Sequence, residues 1–163
     1  MISMLRVDDR LIHGQVAVMW SKQLAVTRII VANDEIAANE LQASALKMAA
    51  PAGVKAAILP VEKAQGIIND PRSEGMKILT ISNNPQDLRD VLKGVSERPV
   101  LNIANYGRIG GSLADKKKIT ETVYLTQEDI ETVREIHDMG VEIIYQPLPN
   151  DPREDFMKLM EGK

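Results

Sequence analysis

Seven short runs of aliphatic and β-branched residues recur along the chain, and this recurrence is the feature that most constrains its fold. The runs are apolar throughout, which is typical of strands that are buried on both faces of a sheet. Amphipathic segments with helix-capping residues separate most of them. The predicted strands cover residues 2–7, 28–32, 54–59, 77–81, 100–104, 122–125 and 141–145.

Helix-capping residues mark where the amphipathic segments begin. Asn33 is predicted to cap one helix that continues to Pro51, because acidic residues occupy its first turn. Three further helices are predicted to begin at Asn84, Thr126 and Asp151. Repeated strand–helix units predict the α/β class: an open, mostly parallel central sheet of about seven strands, with helices on both faces and right-handed crossovers.

One connection departs from the strand–helix alternation. Residues 105–121 contain the glycines of 107–111 and the lysine run 116–118, but no credible helix. This predicts either a long functional loop or a hairpin at the edge of the sheet that makes one strand antiparallel. The chain has no internal repeat, low-complexity tract or linker, so we expect residues 1–163 to form a single domain.

The composition narrows the classes of function. A formal net charge of −3 gives no electrostatic reason to bind nucleic acid or an anionic membrane surface. The absence of cysteine excludes disulfides and thiolate metal sites and favours a reducing compartment. No apolar run approaches the roughly 20 residues that span a bilayer, and residues 1–5 lack the basic start of a signal peptide. We therefore expect a soluble, cytoplasmic protein.

The segment of residues 6–16 places His13 between the first predicted strand and the first predicted helix. Ligands of open α/β sheets bind outside the carboxyl ends of the strands, so His13 should lie at the ligand-binding edge. Free backbone N–H groups near a helix N-terminus favour an anion there. These groups belong to Leu11, Ile12, Gly14 and Gln15. The segment reads Arg6-Val7-Asp8-Asp9-Arg10-Leu11-Ile12-His13-Gly14-Gln15-Val16.

The side chains of this loop suit phosphoryl chemistry. A histidine imidazole is largely neutral at pH 7 and has a nitrogen lone pair for nucleophilic attack. Arg10 can add bidentate, charge-assisted hydrogen bonds to a phosphate. Asp8 or Asp9 could accept a hydrogen bond from the second ring nitrogen of His13 and fix its tautomer. Alternatively, either carboxylate could pair with Arg6 or Arg10 and set only the shape of the loop.

Other interpretations of His13 follow from the residues alone. A lone loop histidine is often only a structural hydrogen-bonding residue. In a hydrolase-like enzyme His13 would be a general base oriented by Asp8 or Asp9, whereas in a regulatory or sugar-binding module it would have no chemical role. A metal site is not expected, because no second histidine and no cysteine lies near enough to complete a ligand set.

The remaining candidates are better explained as structural. His137 lies in the last turn of a predicted helix that stops at Gly140, where a histidine gains from the negative helix end. The glycines of residues 107–111 match neither a dinucleotide-binding nor a Walker pattern, so no nucleotide cofactor is expected. The lysine run 116–118 is expected in a solvated loop, and Trp20 in the core.

Residues 6–16 strongly resemble the phosphohistidine signature of the enzyme IIB component of the mannose/fructose/sorbose family of sugar phosphotransferase systems. The similarity extends over essentially the whole chain and includes Trp20 and residues 28–35, 50–54 and 102–107. Residues 102–105 differ from many relatives, which have Asn-Val-Gly-Gly or Asn-Val-Gly-Asn there. Ala104 replaces a glycine, which puts in question any backbone contact that depends on a positive φ at this position.

The resemblance implies a defined reaction. A IIB protein of this family accepts a phosphoryl group from a phosphohistidine of the IIA protein and passes it to a sugar hydroxyl that the membrane subunits IIC and IID present. By match of position, His13 is the phosphorylated residue and Arg10 stabilises the phosphate. Asp8 and Asp9 belong to the same loop.

The resemblance also sets expectations about partners. The chain starts directly at the IIB portion, so its IIA donor is expected to be a separate protein. A cytoplasmic location with peripheral association to the membrane permease is implied. The sequence is compatible with a homo-oligomer and leaves the sugar open among mannose, fructose, sorbose, N-acetylgalactosamine and others.

Overall fold

Strands and helices alternate along the chain, as the sequence predicts. The computed structural model describes residues 1–162. Its strands are β1 (Ile2–Asp8), β2 (Arg28–Ala32), β3 (Lys55–Leu59), β4 (Ile78–Ser82), β5 (Leu101–Asn105), β6 (Lys117–Thr120), β7 (Val123–Leu125), β8 (Ile143–Tyr145) and β9 (Glu154–Asp155). Its α-helices are α1 (Gly14–Leu24), α2 (Asp34–Ala38), α3 (Glu40–Met48), α4 (Val61–Asn69), α5 (Pro85–Lys93), α6 (Gln127–Asp138) and α7 (Phe156–Met160).

A seven-stranded sheet in the order β3-β2-β4-β1-β5-β8-β9 forms the centre of the molecule. All of its strand pairs are parallel except β8 with β9. The predicted open, mostly parallel sheet is therefore confirmed. β6 and β7 form a separate antiparallel hairpin, which a single bridge between Tyr106 and Val123 connects to the end of β5.

Helices cover both faces of the sheet, and each face has its own apolar core. Successive residues of a strand point to opposite faces, so neighbouring strand residues such as Ile29 and Ile30 belong to different cores. On one face the strands pack against α4, α5, α6 and α7; on the other they pack against α1, α2 and α3. Trp20 of α1 is buried in the second core, in agreement with the sequence.

Three local predictions were wrong. The segment after Asn33 is two helices rather than one, because Asn39 adopts an extended conformation and its side chain accepts a hydrogen bond from Gln42 N, as the cap of α3. The last helix begins at Phe156 and not after Asp151, since the preceding residues pair with β8 as strand β9. Lysines 117 and 118 lie in β6 rather than in a loop.

The helix caps predicted at Asn84 and Thr126 are present. Asn84 accepts a hydrogen bond from Asp87 N at the start of α5. Thr126 and Asp129 form a reciprocal capping box at the start of α6. Within residues 1–162, no helix is both long enough and apolar enough to cross a membrane.

Candidate functional site

The candidate site lies where the carboxyl ends of β1 and β5 meet. Asp8 is the last residue of β1 and is paired with Asn105, the last residue of β5. The register shifts here: Val7 is opposite Ile103, so Ala104 is the extra residue on β5. Among residues 1–162 the non-glycine residues with positive φ are Leu11 and Ala25, so Ala104 does not need the conformation of a glycine.

The loop between β1 and α1 is held tightly despite backbone strain. Leu11 has φ of 60°, a conformation that costs a leucine about 1–2 kcal/mol. Its N–H donates to the carbonyl of Asp8 at 3.0 Å, and the side chains of Leu11 and Ile12 are buried in the core beneath α1. The buried side chains hold the loop in the shape that brings the His13 ring back over the end of β1.

His13 is the N-cap residue of α1, and its imidazole faces back toward β1. The ring is 15% exposed, and its Nε2 lies 3.0 Å from Asp8 Oδ2. The first hydrogen bond across the start of α1 runs from Ala17 N to His13 O at 3.2 Å. The N–H groups of Gly14 and Gln15, in the first turn, therefore have no acceptor within the helix. Leu11 differs from these two, because its N–H already donates to Asp8.

The Asp8 carboxylate is buried and accepts four hydrogen bonds. Oδ2 accepts from Arg6 Nη2 at 3.1 Å and faces His13 Nε2, while Oδ1 accepts from the Arg10 backbone N–H at 2.9 Å and from Asn105 Nδ2 at 3.2 Å. Burial alone would raise the pKa of Asp8. The Arg6 charge and the hydrogen bonds from His13 and the Arg10 amide oppose it, and the pKa of Asp8 lies below its ordinary value.

The ionised state of Asp8 determines the chemistry of the imidazole. A carboxylate without its proton can only accept hydrogen bonds. Nε2 of His13 must therefore carry the hydrogen in the Asp8 contact, which leaves Nδ1 of a neutral ring with the free lone pair. An aspartate that orients a histidine in this way also stabilises positive charge that develops on the ring.

Arg10 contributes its backbone to the site and leaves its guanidinium free. Its N–H donates to Asp8, whereas its side chain is exposed and has no hydrogen-bond or ion-pair partner within the described range of 1–162. The guanidinium is therefore available to an anion that approaches His13. The alternative in which Arg10 pairs with Asp8 or Asp9 does not occur; Arg6 is the arginine that pairs with Asp8.

Asp9 has a different role from Asp8. Its Oδ2 accepts a hydrogen bond from Gly107 N at 3.1 Å, whereas the hydrogen bond to His13 among the described residues is made by Asp8. Burial is the main cause that raises the pKa of Asp9, and the nearby Asp8 charge adds to the shift, although the Gly107 amide opposes it. Asp9 thus joins the His13 loop to the segment after β5. The Asp8 and Asp9 carboxylates therefore face different partners.

The segment of residues 105–116 lies beside the site. Gly107 has φ of 88°, and a Cβ at this position would lie 1.9 Å from the carbonyl oxygen of Tyr124. Lys116 Nζ donates to the carbonyls of Gly107 and Gly110 at 2.7 and 2.8 Å. The Arg108 guanidinium donates to Asn105 Oδ1 at 3.1 Å, which brings a second cationic residue to the edge of the site.

The sequence offered Arg6 only as one alternative partner of Asp8 or Asp9, and it did not indicate Asn105 as a member of the site. The spacing of Arg6 and Asp8 indicates that they are neighbours, since residues two apart in a strand share a face of the sheet. Asn105 gives no comparable signal, because its contact with Asp8 spans 97 residues of sequence. His137 lies in the last turn of α6, as predicted, and its exposed ring has Nδ1 3.9 Å from Asp138 Oδ1.

Comparison with known proteins gives one consistent family. Residues 2–163 match the family model of the PTS system sorbose subfamily IIB component. A probable phosphotransferase enzyme IIB component of Streptococcus pyogenes is 38% identical over 162 residues, which cover 98% of this chain and 99% of the relative. The crystal structure of the IIBSor domain of the sorbose permease from Klebsiella pneumoniae superimposes with a TM-score of 0.91 at 30% identity, covering 99% of this chain and 97% of that chain.

A longer relative is informative about architecture. The mannose-specific EIIAB component of Escherichia coli is 32% identical over 159 residues, which cover 98% of this chain but 48% of the relative. The chain therefore corresponds to about half of that protein.

Proposed function

Because the chain belongs to the sorbose subfamily of IIB components of the sugar phosphotransferase system, we propose that it carries a phosphoryl group on His13 from a phosphorylated IIA protein to a sugar. IIB components of this family are phosphotransferases of sugar uptake. The observation that carries the proposal is the contact between Asp8 Oδ2 and His13 Nε2, which leaves Nδ1 as the nucleophile.

The first transfer uses the lone pair of His13 Nδ1. Nδ1 attacks the phosphorus of the donor phosphohistidine, the new N–P bond forms as the donor's N–P bond breaks, and the electron pair of that bond returns to the donor imidazole. The hydrogen on Nε2 stays in place throughout. The positive charge that develops on the His13 ring is stabilised by the Asp8 carboxylate 3.0 Å away.

In the second transfer the N–P bond of His13 is the bond that breaks. A sugar hydroxyl attacks the phosphorus, its proton passes to a base on the acceptor side, and the N–P bond breaks with its electron pair returning to Nδ1. The ring is then neutral again, with Nε2–H still directed at Asp8.

The surroundings of His13 fit a carrier that must both accept and release phosphate. The free Arg10 guanidinium supplies bidentate hydrogen bonds to the transferring group, and the first-turn amides of Gly14 and Gln15 add two donors. These phosphate-binding groups are one exposed arginine and backbone amides, so they favour the transferring phosphoryl group without trapping the stored phosphohistidine.

We propose that residues 1–163 act as one IIB unit with a phosphorylated IIA protein as donor and membrane IIC and IID subunits as the site of sugar transfer. A relative named as an EIIAB component, whose length is about twice the matched part, supports a IIA donor. The relatives are named for sorbose, fructose and mannose, and the sugar of this chain is therefore left open. A cytoplasmic position at the membrane permease follows from the proposed partners.

Phosphate labelling of histidine variants tests this function. The protein is incubated with labelled phosphoenolpyruvate, the general phosphotransferase proteins and candidate IIA proteins. We expect acid-labile label on the natural chain and on His137→Ala, and none on a folded His13→Ala. Label on His13→Ala would refute the assignment. Hydrolysis of esters by the protein alone would favour a hydrolase, and sugar binding that persists in an unlabelled protein would favour a binding module.

A further inference from the structure

Arg6 is a buried arginine that neither proposed transfer step uses. It lies in β1, two residues before Asp8 and on the same face of the strand. Its side chain is 4% exposed, and Nη2 donates to Asp8 Oδ2 at 3.1 Å. The same oxygen atom faces Nε2 of His13 at 3.0 Å. One carboxylate oxygen thus joins the buried guanidinium to the imidazole.

The other side of the Arg6 guanidinium is fixed by the loop after β8. Nη1 donates to the carbonyl of Pro147 at 3.2 Å, and Trp20 Nε1 donates to the same carbonyl at 2.9 Å. The Arg6 Cζ atom lies 5.8 Å from the centroid of the Trp20 ring. Asn102 holds this loop through two hydrogen bonds with the Gln146 backbone, at 2.8 and 3.1 Å. The guanidinium therefore has one orientation.

Stability alone is a poor explanation for this arrangement. Buried ion pairs lose much of their attraction to desolvation, and apolar residues of similar volume often replace them without loss. Arg6 is also incompletely satisfied, since its Nε lacks a hydrogen-bond partner in the part of the chain that the structure describes. The effect of Arg6 is therefore to be sought in the group with which it shares an oxygen, the His13 ring.

We propose that Arg6 is a positioning residue that keeps the Asp8 carboxylate ionised and directed at Nε2 of His13, and so reserves Nδ1 for the phosphoryl group. The inference rests on the proposed function, in which His13 is the phosphoryl acceptor. Without Arg6, Asp8 is a buried carboxyl group next to Asp9, and the described contacts that remain to stabilise its charge come from the His13 ring, the Arg10 amide and Asn105. A protonated Asp8 donates a hydrogen bond instead of accepting one, which favours the tautomer with hydrogen on Nδ1 and removes the nucleophile.

The test combines imidazole NMR with phosphotransfer kinetics on Arg6→Met. The chain has two histidines, so ¹⁵N shifts of the ring nitrogens are assigned directly, with exposed His137 as an internal reference. We expect His13 of the natural chain to be the Nε2–H tautomer when neutral, and Arg6→Met to contain a substantial Nδ1–H fraction. Phosphorylation of Arg6→Met should be at least about 100-fold slower, with unchanged affinity for the donor, because the nucleophile is misplaced.

A conservative variant and a matched control complete the design. Arg6→Lys keeps the charge but cannot reach Asp8 and Pro147 as a planar fork, so we expect the Nε2–H tautomer with a rate about tenfold lower. Arg89→Met removes a partly buried arginine that pairs with Asp90 and Glu135 away from the site, and should change neither readout.

The outcomes separate this inference from the proposed function. A folded Arg6→Met that retains the Nε2–H tautomer and the natural rate would overturn the role of Arg6. If Arg6→Met does not fold, an unchanged rate in Arg6→Lys would overturn it equally. A natural chain that is never phosphorylated on His13 would refute the proposed function, whereas the tautomer of His13 would still report the effect of Arg6.

Discussion

Replacing Asp8 with asparagine perturbs the site without changing its volume. The amide retains one acceptor oxygen, which can serve either the Arg10 amide or Arg6, but it has no charge. It also presents an N–H₂ group to partners that are all donors in the natural site: Arg6, His13, the Arg10 amide and Asn105. At least one of these donors must lose its acceptor.

The decrease in the free energy of unfolding depends on which lost interaction of Asp8 is the larger. Loss of a hydrogen bond to a charged group costs about 1.5–3 kcal/mol, whereas removal of one partner of a buried ion pair costs about 3–5 kcal/mol because the other charge stays uncompensated. Arg6 is buried and Asp8 is its ion-pair partner. We therefore expect Asp8→Asn to lower the free energy of unfolding by about 3–5 kcal/mol and to slow phosphoryl transfer by about 10⁴-fold, as a wrong histidine tautomer does elsewhere.

Asp9→Asn is the matched control, because it changes the adjacent aspartate in the same way. Burial raises the pKa of Asp9, so its ionised form is disfavoured in the folded protein, and an amide oxygen can still accept from Gly107 N. We expect unchanged or slightly higher stability at pH 7 and transfer within about threefold of the natural rate, as for a surface-type substitution.

Urea unfolding and a rapid-quench phosphotransfer assay measure both quantities. The pH dependence of stability tests the direction of the pKa shift of Asp8. Because the pKa of Asp8 is lowered from its reference of 3.8, its stabilising contribution is complete above pH 3.8 and is lost as the pH falls through the lower, folded-state pKa. Asp8→Asn should lack this loss. An Asp8→Asn protein that transfers at the natural rate, or that is no less stable than Asp9→Asn, would refute the reasoning.

Three further substitutions test other parts of the site. Arg10→Lys should slow transfer at least about tenfold, because the ammonium lacks the bidentate fork of the guanidinium. It should change the free energy of unfolding by less than about 0.5 kcal/mol, because the Arg10 side chain has no partner among residues 1–162. An unchanged rate in single-turnover kinetics would remove Arg10 from the mechanism. Gly107→Ala should destabilise the protein by more than about 2 kcal/mol, since the new Cβ would lie 1.9 Å from the Tyr124 carbonyl oxygen at a φ of 88°. Gly110→Ala, with φ of 75° and open space around it, should cost only about 1 kcal/mol. Urea unfolding measures both variants, and equal costs would contradict the close contact at Gly107.

The sheet was predictable because its signals are local. Strands buried on both faces are rich in aliphatic residues, and Asn84 and Thr126 cap their helices through contacts three residues away. Asn39 was missed as a second cap because the helical pattern continues through it in sequence. Strand β9 has two residues, and β6 is rich in lysine, so neither carries the apolar pattern of a buried strand.

The site residues, too, were predictable only where their signals are local in the sequence. His13 and Arg10 lie in one short segment whose position, between a strand and a helix, indicates an anion site by itself. The role of Asp8 remained open between two alternatives, because both its orientation and its arginine partner depend on the fold. The contacts of Arg6 and Trp20 with Pro147 span 141 and 127 residues, and no local pattern predicts contacts of that range.

The ring nitrogen that carries the phosphate tests the central claim most directly. The protein is uniformly ¹⁵N-labelled, phosphorylated through a IIA donor, and examined by ¹⁵N and ³¹P NMR for the nitrogen that is bonded to phosphorus. Because Asp8 holds Nε2 at 3.0 Å, we predict phosphate on Nδ1 of His13 with hydrogen retained on Nε2. Phosphate on Nε2 of His13, or on any other residue, would contradict the claim.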